Sequence, residues 1–123
     1  MILRNNIYTV IGNSHTEEGF DYIIGLNADS IIYKAHFPGQ PITPGVCIIQ
    51  MAQELYELET AHTLIISKIK NVKFLSIMIP GGENSFVYKF RKITEEGELV
   101  KFQVSVYSEE TVFAKMSLIC KQV

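Results

Sequence analysis

One histidine, two glycines and three of the four prolines crowd into the run His36-Phe37-Pro38-Gly39-Gln40-Pro41-Ile42-Thr43-Pro44-Gly45. An imidazole titrates in the range where a general base works near neutral pH. The prolines fix φ near one value, and the glycines reach backbone conformations closed to other residues. Such a segment is a rigid, non-repetitive loop of the kind that carries reactive groups. Thr43 suits a helix N-cap and Pro44 the first helical position. That leaves the Gly45 amide as an unpaired donor at a helix start, with no side chain to obstruct a ligand. A base beside an anion-binding amide is half of an acyl-chemistry site: one removes a proton, the other steadies charge on an acyl oxygen.

The elements that must position this loop are mostly strands. Ile7 to Ile11 is β-branched and aromatic, and Gly12-Asn13-Ser14 with Glu17-Glu18-Gly19 reads as a turn region. Phe20 to Leu26 follows as a second strand, and Asn27-Ala28-Asp29-Ser30 breaks the chain before Ile31-Ile32-Tyr33. From Pro44 to about Glu59 the pattern is helical, and Val46, Cys47, Ile48 and Ile49 predict a first turn buried on every side. Gln50, Gln53, Glu54 and Glu57 then form one polar stripe at i, i+3, i+4 and i+7. Later strands are expected at Ile65–Phe74, Ser85–Ile93, Leu99–Ser108 and Thr111–Lys121, the last three joined as hairpins through Thr94–Glu98 and Ser108–Glu110. A helix buried at its start and wet along one edge fits a curved antiparallel sheet wrapped around one central helix, an α+β architecture.

Composition narrows the class. The 123 residues suit one domain over 1–123, and 47% hydrophobic with 20% charged content is that of an ordinary globular chain. A net charge of −2 gives no basic balance for nucleic acid, and no metal-ligand motif appears. Cys47 and Cys120 lack C-x-x-C spacing and are expected as buried free thiols in a reducing compartment. No signal peptide and no apolar run of about 18 residues is visible, so a cytoplasmic protein is expected.

The run from His36 to Gly45 resembles the signature of the β-hydroxyacyl-acyl-carrier-protein dehydratases, H-F-P-G-x-P-x-x-P-G, at every fixed position. The likeness continues through Met51-Ala52-Gln53 and into Ile69-Lys70-Asn71-Val72-Lys73-Phe74. It implies a hot-dog fold, a homodimer with sites shared between protomers, and possible assembly into a hexamer as a trimer of dimers. It also implies 3-hydroxyacyl thioesters as substrates, with no resident cofactor, because the acyl carrier protein brings its own phosphopantetheine. By this resemblance His36 is the base, Gly45 N–H the oxyanion donor, and Phe37, Pro44, Val46 and Glu54 line the substrate site. The family's helix carboxylate falls on Gln50.

That departure matters, because an amide cannot deliver a proton near neutral pH. Gln50 is either a pocket residue holding the hydroxyl or a water, or the first member of a solvated stripe. Glu54, one turn (~5.4 Å) further on, is a possible substitute acid. Gly45 is open to a purely conformational reading, and Cys47 lacks a histidine to make it a nucleophile. His15 and His62 read as surface residues. Lys68, Lys70, Lys73 and Arg91 are the expected docking cations for an acidic carrier, with 68 and 70 on one face by strand alternation; the rival is a solvated sheet face. Three functions stay open: a dehydratase-like lyase, a carrier-binding homologue or subunit of a hetero-oligomer whose partner chain supplies the carboxylate, and a hot-dog acyl thioesterase.

Overall fold

The computed structural model describes residues 1–36, 39–82 and 84–123. Six strands form one antiparallel sheet in the order β1-β2-β4-β5-β6-β3: β1 Tyr8–Thr16, β2 Gly19–Leu26, β3 Leu64–Phe74, β4 Phe86–Glu96, β5 Leu99–Ser108 and β6 Thr111–Gln122. A short helix α1 (Ile31–Ala35) and the long helix α2 (Gly45–Thr60) lie between β2 and β3. Alternation sets the inner face of the sheet, with Phe86, Tyr88 and Phe90 of β4 and Phe102, Val104 and Val106 of β5 all buried. Against them α2 turns Ile48, Ile49, Met51, Ala52, Leu55 and Tyr56, an apolar stripe at helical spacing. Tyr56 stacks on Phe102 with ring centroids 4.4 Å apart, and Phe20 stacks on Phe90 at 4.5 Å. This is the expected helix within a curved antiparallel sheet.

Several expectations need correction. Gly12 does not end the first strand: β1 continues to Thr16 through a bulge between Val10 and Gly12, where the extra residue is absorbed without breaking the pairing with β2. His15 therefore sits in a strand, 2.6 Å from Glu59 on α2. Ile31–Tyr33 belongs to α1, because the Ser30 hydroxyl accepts the Ile32 N–H and starts a helix there. The first turn of α2 is not buried all round. Val46 is 75% exposed, while Ile48 and Ile49 are buried. That turn stands at the sheet margin, where Phe74, Leu75, Ile77 and Ile79 are also exposed. These bare apolar side chains lie beside edge strand β3.

Candidate active site

The helix start is built differently from the cap rule. Pro44, with φ −61° and ψ 143°, is the N-cap, and Gly45 is the first helical residue. Thr43 turns its hydroxyl to a buried bond with the Tyr33 hydroxyl at 2.7 Å, and no side chain caps the helix. The Thr43 N–H donates to the Met78 carbonyl at 2.9 Å. These two bonds tie the last turn of α1 and the segment after β3 to the residue two before Gly45. His36 is the C-cap of α1, its N–H donating to the Ile32 carbonyl at 3.0 Å, and its side chain is exposed. Tyr33 of α1 is thus bonded to the segment that enters α2. Phe37 and Pro38 lie outside the described residues, and with them the Phe37 contribution to the substrate site.

Gly45 has a steric reason to be glycine. A Cβ there would stand 2.8 Å from ring atoms Cε2 and Cζ of Phe74. Phe74 ends β3 and is half-exposed, and its ring lies against the helix start, where a first-turn amide such as Gly45 N–H has no partner within the helix. Pro44 is half-buried beside it and Val46 faces out.

The polar stripe of α2 is hydrogen-bonded along its length. Glu54 accepts from Leu3 N–H at 2.8 Å, Arg4 N–H at 2.9 Å, the Tyr8 hydroxyl at 2.9 Å and Gln50 Nε2 at 2.9 Å. Four donors converge on one carboxylate, which makes Glu54 a structural acceptor and a poor stand-in for the missing acid. Burial, with the Glu54 carboxylate beside it, pushes the Tyr8 hydroxyl far above its ordinary value, so Tyr8 stays a donor. Gln53 Nε2 donates to the Leu64 carbonyl at 2.7 Å, and Glu57 accepts the Leu64 N–H at 2.7 Å, which welds the stripe to the start of β3. Gln50 Nε2 also donates to the Met1 carbonyl. Gln50, Gln53, Glu54 and Glu57 line a cavity of about 690 Å³ together with Met1, Ile2, Leu58, His62 and Leu64. Gln50 is therefore a partly buried residue held in a network at this open groove, which neither His36 nor Gly45 lines.

The cations are arranged by the sheet register. Bulges between Ile66 and Lys68 and between Ile69 and Asn71 interrupt β3, so simple alternation does not relate Lys68 to Lys70. Lys68 pairs with Ile119 and Lys73 with Lys115, both on the outer face opposite the core. Arg91 is occupied: its Nη1 donates to Asp21 Oδ1 at 2.8 Å and to the Phe20 and Phe90 carbonyls. Lys115, which sequence reasoning missed, faces Lys73 across the strands and lines a polar groove of about 240 Å³ with Ser105, Ser117, Asn71 and Gln103. Only the fold could find it, because the two lysines are far apart in sequence.

Both cysteines are free; burial pushes the Cys47 thiol up and takes Cys120 to about 11, so neither is a ready nucleophile. Among the described residues, no three His, Cys, Asp or Glu side chains are grouped to hold a metal ion, and no helix is long and apolar enough to cross a membrane.

Comparison with known proteins identifies the family by sequence, while the solved structures of similar fold also include proteins named as thioesterases. The family model for ApeI-like proteins, described as the ApeI dehydratase, matches residues 12–117. The chain is 31% identical over 121 residues to the 3-hydroxyacyl-[acyl-carrier-protein] dehydratase FabZ of Sulfurovum sp., covering 85% of this chain and 79% of that protein. It is 32% identical over 90 residues to the bifunctional enzyme LpxC/FabZ of Porphyromonas gingivalis, covering 64% of this chain but only 19% of that longer enzyme. Among solved structures, the dehydratase heterocomplex ApeI:P from Xenorhabdus doucetiae superposes with a TM-score of 0.74 at 20% identity, over 91% of this chain and 96% of that one. The sheet, the enclosed helix and these matches agree: the chain has the hot-dog fold and belongs to the ApeI-like dehydratase family within the FabA/FabZ-like dehydratases.

Proposed function

We propose that this protein acts on 3-hydroxyacyl thioesters carried by an acyl carrier protein in the cytoplasm, as a dehydratase whose own helix lacks the usual acid. The observation that carries the reading is the bracing of Thr43, two residues before Gly45, by Tyr33 and Met78 in a chain of this family. His36 takes a proton from C2 of the acyl group. The charge that grows on the thioester oxygen is met by the Gly45 N–H at the start of α2. As the C2–C3 double bond forms, the C3–O bond breaks and the hydroxyl leaves as water, with the proton that the His36 imidazolium took from C2 handed on through a solvent water. Gln50 holds that hydroxyl but cannot protonate it. The chemistry needs no resident cofactor, since the phosphopantetheine arm arrives with the substrate. Lys68, Lys73 and Lys115 on the outer sheet face are the cations that would draw in an acidic carrier; Lys70 adds to them, while Arg91 is already paired.

A second copy of the chain across edge strand β3 would cover Phe74, Leu75, Ile77 and Ile79 and bring two sites together. The Gln50 substitution and the likeness to the ApeI:P heterocomplex favour a second arrangement, in which a related subunit faces His36 with a carboxylate of its own. The thioesterase reading loses support, because Glu54 is committed to four donors.

The test is hydration of a short 2-enoyl thioester, followed by loss of its ultraviolet absorbance, for wild type and His36→Ala. Wild type should turn over, and His36→Ala should lose about 10²–10⁴-fold. Equal rates in the two proteins, or release of free thiol in place of hydration, would refute the assignment.

A further inference from the structure

Two lysines face each other on the outer side of the sheet with no acid beside them. Lys73 of β3 and Lys115 of β6 are Cα partners, and like charges directly opposite on neighbouring strands repel. Among the described residues neither lysine forms an ion pair. The acid in the same cross-strand row, Asp21 of β2, is held by Arg91 at 2.8 Å. Lys89, which follows it in that row, lies 4.6 Å over the Tyr107 ring. Ser105 extends the Lys73–Lys115 row onto β5, and Asn71, Ser117 and Gln103 form the adjoining row two residues away. Each of these four has an O–H or N–H to donate. Among the described residues the side-chain hydrogen bonds of β4 and β5 go elsewhere, Arg91 to Asp21 and Ser108 to the Ser85 carbonyl, and leave all four unspent. The two lysines and four neutral donors line a groove of about 240 Å³ that contains no acidic residue. Lys73 directly precedes Phe74, whose ring lies against Gly45, so the groove backs onto the start of α2 from the opposite face of the sheet.

We propose that this groove binds a phosphate group, with Lys73 and Lys115 clamping the anion and Ser105, Ser117, Asn71 and Gln103 donating to its remaining oxygens. An anion in this place removes the repulsion between the two ammonium groups and gives six donors one acceptor. Phosphate suits the groove better than a carboxylate, because a phosphate monoester carries about −1.5 to −2 charge at pH 7 and three strong acceptor oxygens. An ammonium binds phosphate as a point charge and needs no fork geometry, so two lysines from different strands share it readily. Since β3 is the edge strand, the anion bridges it to β6 and β5. The site lies apart from the proposed thioester chemistry and does not rest on it. Both lysines also stand among the cations offered to an acidic carrier, whereas here a small ligand fills the space between them without any protein contact. Free phosphate and the phosphate monoester of a small metabolite share this chemistry.

The test is a titration of the whole protein with inorganic phosphate, followed by NMR at the backbone amides of Ser105, Lys115 and Ser117, with chloride at matched ionic strength as reference. Two charge-assisted hydrogen bonds place the affinity of wild type at about millimolar. Lys73→Gln and Lys115→Gln keep a polar side chain but lose the charge, and each should weaken binding about tenfold. Lys101→Gln removes a charge from the same face outside the groove and should bind as wild type does. Glycerol 3-phosphate in place of inorganic phosphate separates the two sources. Tighter binding of the ester assigns the groove to a phosphorylated metabolite, and equal or weaker binding assigns it to the free ion. Shifts no larger with phosphate than with chloride would overturn the proposal. So would an affinity that survives both groove variants, or one that falls as far in Lys101→Gln as in them.

Discussion

Gly45 shows how one residue carries two requirements that a sequence cannot separate. Its N–H is the donor at the start of α2, and its missing Cβ makes room for the Phe74 ring. A methyl group placed 2.8 Å from Cε2 and Cζ must displace a ring that is half-exposed and free to swing outward. Gly45→Ala should therefore cost about 1–3 kcal/mol, the usual range for overpacking. The cost should largely vanish in a Phe74→Ala background, read by chemical denaturation of the single and double variants. An undiminished cost in the double variant would place the strain in the helix start itself. The residue that sequence reasoning paired with Gln50 as a spare acid, Glu54, turns out to be the group that fixes it. Only the tertiary fold shows this, because Leu3, Arg4 and Tyr8 come to Glu54 from the other end of the chain.

At the scale of elements, the brace between α1 and α2 replaces the expected cap. Tyr33 is buried by the core and turns its hydroxyl to Thr43, which in turn holds the Met78 carbonyl. Tyr33→Phe should lose about 1 kcal/mol of stability, the net worth of one hydrogen bond, measured as a shift in denaturation midpoint. It should also reduce turnover more than it weakens substrate binding, because the loop from His36 to Gly45 loses its anchor. An unchanged ratio of turnover to binding would confine Tyr33 to the core. Much of this architecture was legible beforehand. Strands β5 and β6 and the body of α2 follow from alternation and helical spacing, and the turn at Glu109, with φ 54°, falls where the acidic break predicted it. The illegible parts were those decided by pairing. The bulges at Gly12 and within β3 leave the local pattern nearly unchanged, yet they reassign every face beyond them. Ser30 reads locally as part of a loop, and its hydroxyl bond to Ile32 N–H, which starts α1, exists only in the fold.

Across the whole molecule, the buried hydroxyls and thiols set an alkaline limit. Tyr33 is raised by burial to about 12 and Cys120 by burial and nearby Glu57 to about 11, from ordinary values of 10.0 and 9.0. Both are raised on folding, so their contribution is complete below about pH 9 and is lost as pH climbs through 11 to 12. The melting temperature should fall steadily across that window and not before it; a flat profile to pH 12 would contradict the burial of these groups. On the proposed reading, what separates this chain from a complete dehydratase is one altered position, Gln50. Restoring the carboxyl as Gln50→Glu sets it against the Glu54 carboxylate and the Met1 carbonyl, two acceptors that favour its protonated form. The measurement that tests this most directly is the pH–rate profile for hydration of a short 2-enoyl thioester by wild type and Gln50→Glu. The account predicts that Gln50→Glu is faster by about 10²-fold near neutral pH, with the gain fading as pH rises and the new acid ionises. A Gln50→Glu protein no faster than wild type at any pH would contradict it, because the site would then lack more than its acid.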